Sequence, residues 1–223
     1  MSDIRKEKIV CPHVILCEGR DELRFLSCYK KERGKTDERF ESDIQIINFG
    51  GNPELKNGLK LLKITDGYSE VKTVMVIRDA EKSAQKAVAQ VQGALQSAGF
   101  PVPMKPAEWC KEGDNPAVAF LLFPVLTDDP ADGALEDLCI RIIKNEYKPE
   151  AVIGKIDTAI EELEQENLRE FRHRFKSRLH GFFSLTDEFV GDKIGEASDR
   201  GAFDWGSGEF DMLDRCIIEG FGM

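Results

Sequence analysis

The sequence predicts an α/β protein whose mostly parallel sheet is flanked by helices and followed by a helical C-terminal region. Short apolar runs alternate with segments of helical spacing up to residue 130, and only helical spacing continues beyond it. Strands that alternate with helices imply right-handed crossovers between parallel neighbours. We therefore expect an α/β core over residues 1–130 and a helical extension, packed on that core, over residues 131–223.

The first strand and helix are predicted close to the start of the chain. Residues 13–17 (HVILC) are a continuous apolar run, which favours a buried strand. Residues 20–32 predict a helix with Leu23, Leu26 and Tyr29 on one side. Between them stands Glu18-Gly19, and we expect the glycine to let the chain turn sharply into the helix.

The second strand is predicted over the Ile-rich residues 43–49. After Gly50-Gly51, Asn52 is a good N-cap and Pro53 a good first helical residue. The helix that follows has leucines at helical spacing, namely Leu55, Leu59 and Leu62.

The third strand, residues 72–78, has the strongest signal, because it is nearly continuous Val, Met and Ile. The Ala-rich residues 82–99 predict a helix that stops at Gly99. Residues 117–125 could be a strand or another buried segment, and their length and Pro124 favour a strand.

The remainder of the chain predicts helices over residues 133–147 and 155–183. The tail that follows is rich in Gly and Asp and closes on a short apolar turn.

The composition suits a folded protein with an acidic surface. Of its 223 residues, 41% are hydrophobic and 32% charged, and the formal net charge is −10. This acidity opposes broad, nonspecific binding to nucleic acid, because phosphate neutralisation needs Lys and Arg. It does not exclude a local basic groove. It also fits a site crowded with carboxylates that binds a cation.

The cysteines and the apolar runs indicate where the protein resides. Six cysteines lack the C-x-x-C spacing of a zinc site. There is no apolar leader and no run near the roughly 18 residues that span a bilayer. We therefore expect a reduced cytoplasmic protein that does not enter a membrane. The sequence does not determine its oligomeric state.

Acidic residues follow the first and third strands at the point where each strand ends. Glu18 follows the first strand, and Asp79 and Glu81 follow the third. The carboxyl ends of parallel strands open on one edge of a sheet, where α/β proteins bind ligands. If the backbone stays extended, Asp79 and Glu81 point the same way, and Glu22 lies one helical turn beyond Glu18.

Grouped carboxylates repel unless a cation or a proton intervenes, and oxygen ligands favour Mg²⁺ or Mn²⁺. We therefore predict a metal site of Glu18, Asp79 and Glu81 that serves phosphoryl transfer. Glu18, Glu22 and Asp79 are the catalytic candidates, with Glu22 assisting or acting as a base toward water. The alternative is that these are strand-end carboxylates, either solvated or capping a helix.

Other residues keep two interpretations. Gly50-Gly51 is either a tight turn or a phosphate cradle at a helix N-terminus. The basic residues around 172–180 either steer a nucleic-acid backbone or pair with the acids that precede them. Further basic candidates and loop acids are Arg78, Lys82 and Lys105, and Asp128, Asp129 and Asp132.

The motifs Glu18-Gly19 and Asp79-Ala80-Glu81 resemble those of topoisomerase–primase (Toprim) domains, in which a Glu follows the first strand and D-x-D a later one. E-G-x-x-E also resembles the OLD-type (overcoming-lysogeny-defect) nucleases, whose second Glu falls on Glu22. Over residues 13 to 215 the chain is similar to a mostly uncharacterised family of stand-alone Toprim-like proteins, through INFGG, VIRDAE, GALEDL and a Gly-Ala-Phe-Asp-Trp tail.

That resemblance implies a Rossmann-like Toprim fold, a metal site and a lysine near it, for which Lys176 is the candidate. It also makes Glu136, in GALEDL, a candidate for the site, and the alternative for Glu136 is a first-turn helix acid. It departs from the pattern at Glu81, which replaces an Asp, and no ATPase P-loop is present.

Three functions remain open from the sequence. The first is a metal-dependent nuclease acting on nucleic acid. The second is a non-catalytic Toprim-like module for interaction or regulation. The third is a phosphatase or nucleotide-binding enzyme of the same fold class.

Overall fold

The computed structural model describes residues 8–51 and 54–222 and has a four-stranded parallel sheet. The strands are β1 (His13–Cys17), β2 (Ile44–Asn48), β3 (Thr73–Asp79) and β4 (Ala117–Phe123). Their order in the sheet is β2-β1-β3-β4, and every neighbouring pair is parallel. The predicted α/β class is therefore confirmed.

The strand order places a switch point between β1 and β3. From β1 the chain moves outward to β2, then returns to the other side of β1 to form β3 and β4. The connections that leave β1 and β3 therefore run in opposite directions, which opens a crevice at the carboxyl edge of the sheet. Cys17 is paired with Ile77 at this edge.

Helices cover the sheet and continue beyond it. They are α1 (Arg20–Gly34), α2 (Arg39–Ser42), α3 (Leu55–Lys63), α4 (Ala84–Ala98), α5 (Leu135–Ile142), α6 (Pro149–Gln165), α7 (Arg174–Ser184), α8 (Ile194–Asp199) and α9 (Asp211–Phe221). Within the described residues, none of these helices combines the length and the apolar character needed to cross a membrane.

The sheet separates two apolar clusters. All seven residues of β3 are buried, and successive side chains alternate between its faces. Val74 and Val76 pack with α3 and α4, whereas Met75 and Ile77 pack with α1 and the C-terminal helices. Each such buried side chain contributes about 1.5–3 kcal/mol to folding, which explains why the strand is apolar throughout.

The elements predicted for the first half are confirmed to within two residues at their ends. α4 ends in a left-handed cap at Gly99, as its sequence predicted. Asn52 and Pro53, predicted to begin the helix before Leu55, lie outside the described residues. Leu55, Leu59 and Leu62 are fully covered by the core.

The helices predicted for the second half are partly wrong. The helix predicted over 133–147 is confined to α5 and is followed by a short 3-10 turn over Asn145–Tyr147. The single helix predicted over 155–183 is two helices, α6 and α7. α6 ends because Asn167 adopts a left-handed φ of 55°, a common helix terminator. The tail forms α8 and α9 rather than a short turn.

The C-terminal helices pack on the sheet. One apolar cluster joins Met75 and Leu121 of the sheet to Leu138 of α5, Phe182 of α7 and Ile217 of α9. The predicted extension therefore covers the second face of the core. The boundary at residue 130 stays a prediction.

Candidate acidic site

Glu18 lies at the carboxyl edge because β1 ends one residue before it. Cys17 is paired with Ile77, so Glu18 stands beside Arg78 on the neighbouring strand, roughly 5 Å away across the sheet. The chain bends at Glu18 and Gly19 into α1, as predicted, and Gly19 caps the helix with extended backbone (φ −141°), so the turn needs no left-handed glycine. Gly19 makes room instead, because an added Cβ would lie 2.7 Å from Oε2 of Glu22.

Asp79 is the last residue of β3 and is only 8% exposed. Its Oδ1 accepts the backbone N–H of Leu135, the first residue of α5, at 2.9 Å. This bond satisfies an amide that the helix itself leaves open. Burial raises the pKa of Asp79 well above its usual range, and the charges of Glu22, Glu136 and Glu18 raise it further.

Glu22 lies in the first turn of α1, as the helical spacing predicted. Burial raises its pKa to about 7, and Glu18 and Glu136 are among the charges that raise it. Glu22 therefore faces the same crevice as Asp79. It exchanges a proton close to neutral pH, which an exposed glutamate does not do.

Glu136, the second residue of α5, joins these acids and is 7% exposed. Burial raises its pKa, while the charges of Lys176 and His180 on α7 lower it. Nζ of Lys176 lies 3.7 Å from Oε1 of Glu136. Glu136 is a first-turn helix acid and also a neighbour of Asp79, and its role in a site stays a prediction.

Glu81 is placed differently from its prediction. β3 ends at Asp79, and Glu81 has a left-handed φ of 58° with its backbone paired to Gly133. The extended backbone that would align Glu81 with Asp79 therefore does not continue to Glu81. Its charge acts on Arg78, after those of Glu18 and Asp79. Its place among metal ligands stays a prediction.

Arg78 lies between the strand ends and was identified from sequence only as one of several basic residues. Its side chain is 1% exposed. Its Nε lies 3.9 Å from Oε2 of Glu18 and donates to the backbone oxygen of Asp79 at 3.1 Å. A strand position two residues beyond the apolar Val76 was the signal that this arginine is buried.

The donor chemistry of the crevice fits a hard divalent cation, since carboxylate oxygens are the ligands that Mg²⁺ and Mn²⁺ prefer. The side-chain arrangement is not that of a formed metal centre. Within residues 8–51 and 54–222, no group of three or more His, Cys, Asp or Glu is positioned to hold an ion. Glu18 and Glu136 lie near basic side chains, and Asp79 is used by the cap of α5.

Gly50-Gly51 forms the tight turn that was one of its two interpretations. The amides of both glycines donate to the backbone oxygen of Glu18, at 3.2 and 2.8 Å, and both residues have positive φ. Those amides cannot also cradle a phosphate. The turn instead helps to hold Glu18 at the sheet edge.

The basic residues of α7 pair with acids, which was the alternative to steering nucleic acid. Arg174 contacts Glu161 at 3.0 Å, and Arg178 contacts Asp157 at 2.8 Å. Arg172 lies outside the helix predicted to carry it. Three of the other charged candidates also make structural contacts, because Lys105 pairs with Asp128 and Asp132 accepts the Ala84 amide. His13 and Trp109 make structural hydrogen bonds as well, with Thr73 and with the backbone oxygen of Cys216.

All six cysteines are free thiols in the structure: Cys11, Cys17, Cys28, Cys110, Cys139 and Cys216. Burial raises the pKa of Cys139, which lies beneath the acidic crevice, so its thiol stays protonated.

The fold and the site define an α/β protein whose doubly wound parallel sheet carries an acidic crevice at its switch point. The chain belongs to the family described as protein of unknown function (DUF3226), which matches residues 12–217. No curated protein and no solved structure matches the chain. The resemblance to topoisomerase–primase domains stays a prediction.

Proposed function

We propose that this protein is a Mg²⁺- or Mn²⁺-dependent phosphoryl-transfer enzyme of the nuclease type, with a Toprim-like site, acting on nucleic acid in the cytoplasm. One observation carries the proposal: four carboxylates, from the ends of β1 and β3 and the first turns of α1 and α5, meet at the switch-point crevice, and burial raises the pKa of three of them. Crowding buried acids is unfavourable unless a cation or protons compensate their charge. The four are Glu18, Glu22, Asp79 and Glu136.

The residues have separate roles in this proposal. Glu18 and Asp79, from neighbouring strands, would hold the ion, with Glu81 at the rim. When bound, the ion would supply positive charge to the phosphoryl oxygens. Glu22, with a pKa of about 7, accepts a proton from the attacking water. Lys176 brings a positive charge beside Glu136.

The first test is Asp79→Asn. The amide oxygen can still accept the Leu135 N–H, so the fold should persist, but the charge that would hold the ion is lost. We expect Mg²⁺-dependent cleavage of DNA or RNA to fall to background, measured on single- and double-stranded substrates with Mg²⁺, Mn²⁺ or EDTA. Asp129→Asn, in an exposed loop, is the matched control and should cleave like the parent. A cleaving Asp79→Asn variant would exclude this mechanism.

Ion binding can be measured without any substrate. Mn²⁺ should raise the melting temperature of the parent with increasing concentration, because a ligand that binds only the folded state stabilises it. Asp79→Asn should lose this response and Asp129→Asn should keep it. An identical response in all three proteins would place the ion elsewhere.

A non-catalytic interaction module is the second candidate, and two observations favour it. Glu18 lies near the buried Arg78, and the described residues form no ready metal centre. On this alternative the acids and bases stabilise the crevice and no ion binds. Absence of both Mn²⁺ stabilisation and cleavage in the parent would select it over the nuclease.

A further inference from the structure

A groove between α3 and α4 lies on the face of the sheet opposite α5. Val74 and Val76 pack against these two helices, and Arg78, two residues further along β3, points to the same face. The groove is a cavity of about 440 Å³. Its lining consists of Leu55, Lys56, Arg78, Gln90, Gly93, Ala94 and Ser97.

Arg78 is almost fully buried, and its hydrogen bonds within the described residues use two of the three guanidinium nitrogens. Its Nη1 donates to Oε1 of Gln90 and its Nε to the backbone oxygen of Asp79, both at 3.1 Å. The 3.9 Å approach to Glu18 is longer than the roughly 2.7–2.9 Å of a charge-assisted hydrogen bond. Among the residues that the structure describes, no hydrogen bond engages Nη2. The guanidinium therefore retains a donor at the base of the groove.

The two helices that form the groove are positively charged in an acidic protein. They contain no Asp or Glu, whereas the whole chain has a net charge of −10. The basic residues of α7 pair with acids, but no ion pair within the described part of the chain involves Lys56, Lys60 or Lys86. The carboxylates that act on Arg78 belong to the strand ends instead: Glu18, Asp79 and Glu81.

The groove is open at Gly93. A Cβ added there would meet no atom within 4 Å, so the space beside the helix is free. A buried guanidinium, a nearby lysine and uncharged hydrogen-bonding side chains suit a compact anion with several acceptor oxygens. Arginine matches phosphate in geometry as well as charge.

We infer that the α3–α4 groove binds a phosphate group, held by Arg78 and Lys56, as carried by a nucleotide or a nucleic-acid strand. The inference goes beyond the proposed nuclease function, since phosphate binding at this groove requires no metal ion. The inferred phosphate site lies on one side of Arg78, and Asp79 of the acidic crevice lies on the other.

The test compares Gly93→Glu with Gly93→Gln. The two side chains fill the same open space, and only Glu adds a negative charge, so neither should disturb the fold. Inorganic phosphate is titrated into ¹⁵N-labelled protein in EDTA at constant ionic strength, with chloride as the reference anion. We expect saturable shifts of the Gly93 amide in the parent, and binding to Gly93→Glu at least about tenfold weaker than to Gly93→Gln.

Lys56→Gln provides a second, surface variant and should also weaken phosphate binding. Absence of saturable shifts in the parent, or equal affinities for the Glu and Gln variants, would overturn the inference. Competition by a short single-stranded oligonucleotide would assign the phosphate to nucleic acid, and binding of inorganic phosphate alone would assign it to small phosphates. EDTA removes divalent ions, so this titration does not depend on the proposed metal site. A parent that cleaves nucleic acid but does not bind phosphate in this titration would overturn the groove inference and leave the proposed nuclease function standing.

Discussion

At the scale of single residues, Glu22 shows how a fold changes the chemistry of a common side chain. In sequence it is an ordinary first-turn acid, of the kind that helix dipoles favour. In the crevice, burial and neighbouring acids raise its pKa to about 7. The same environment that suits it for proton exchange also makes its ionised form unfavourable.

That cost predicts a pH dependence of stability. Between its ordinary pKa of 4.5 and about 7, the folded state binds more protons than the unfolded state, so stability falls as pH rises through this window. The loss amounts to at most about 3 kcal/mol above pH 7. Glu22→Gln, uncharged at every pH, should be more stable than the parent at pH 8, and this difference should shrink towards pH 5.

Urea unfolding in EDTA at the two pH values measures the effect. Glu112→Gln, at an exposed loop position, is the control and should change stability little at either pH. An equal stability difference at pH 5 and pH 8 for Glu22→Gln would contradict the raised pKa.

At the scale of elements, the attachment of α9 depends on close packing against Trp109. The Trp109 Nε1–H donates to the backbone oxygen of Cys216 at 3.0 Å, and its ring lies against Phe221. Gly220 faces the same indole, and a Cβ there would lie 1.9 Å from a ring carbon. The glycine is needed for close approach of the helix.

Gly220→Ala should therefore destabilise the protein by about 1–3 kcal/mol through overpacking. Gly154→Ala in α6 is the matched control, because its Cβ would meet nothing within 4 Å. That variant should gain about 0.5–1 kcal/mol, since Ala is the better helix former. Urea unfolding followed by tryptophan fluorescence compares the two, and equal stabilities would refute the packing argument.

At the scale of the whole molecule, one apolar cluster connects the sheet to the C-terminal helices. Phe25 of α1 contacts Phe123 at the end of β4 and Trp205 in the tail, with ring centroids 6.1 and 5.0 Å apart. Arg33 of α1 binds Asp214 of α9 at 2.7 Å. α1 thus joins both parts of the chain.

We therefore expect the full chain to unfold in one cooperative transition. Circular dichroism at 222 nm follows all the helices, and tryptophan fluorescence follows Trp109 and Trp205. Their urea midpoints should coincide. Two separated midpoints would instead show that residues 1–130 and 131–223 unfold as independent units.

The sequence was sufficient to predict the elements whose formation depends on local residue patterns. β3 was predicted because a strand covered on both faces needs apolar residues throughout, and α4 because its Ala-rich run ends at Gly99. The break between α6 and α7 was missed, because the surrounding residues are strong helix formers and only the left-handed Asn167 ends the helix. The turn at Asn167 is favoured because α7 packs back against α5 and α6.

The sequence by itself determined that acidic residues follow β1 and β3. It also determined that these residues lie at one edge of the sheet, because parallel strands end on a common edge. Only the tertiary structure decided which other groups meet them. Glu136 and Lys176 lie on helices distant in sequence from these strands, and Arg78 is buried near the end of β3. Their placement depends on the path of the whole chain, and patterns read over a few residues contain no information about that path.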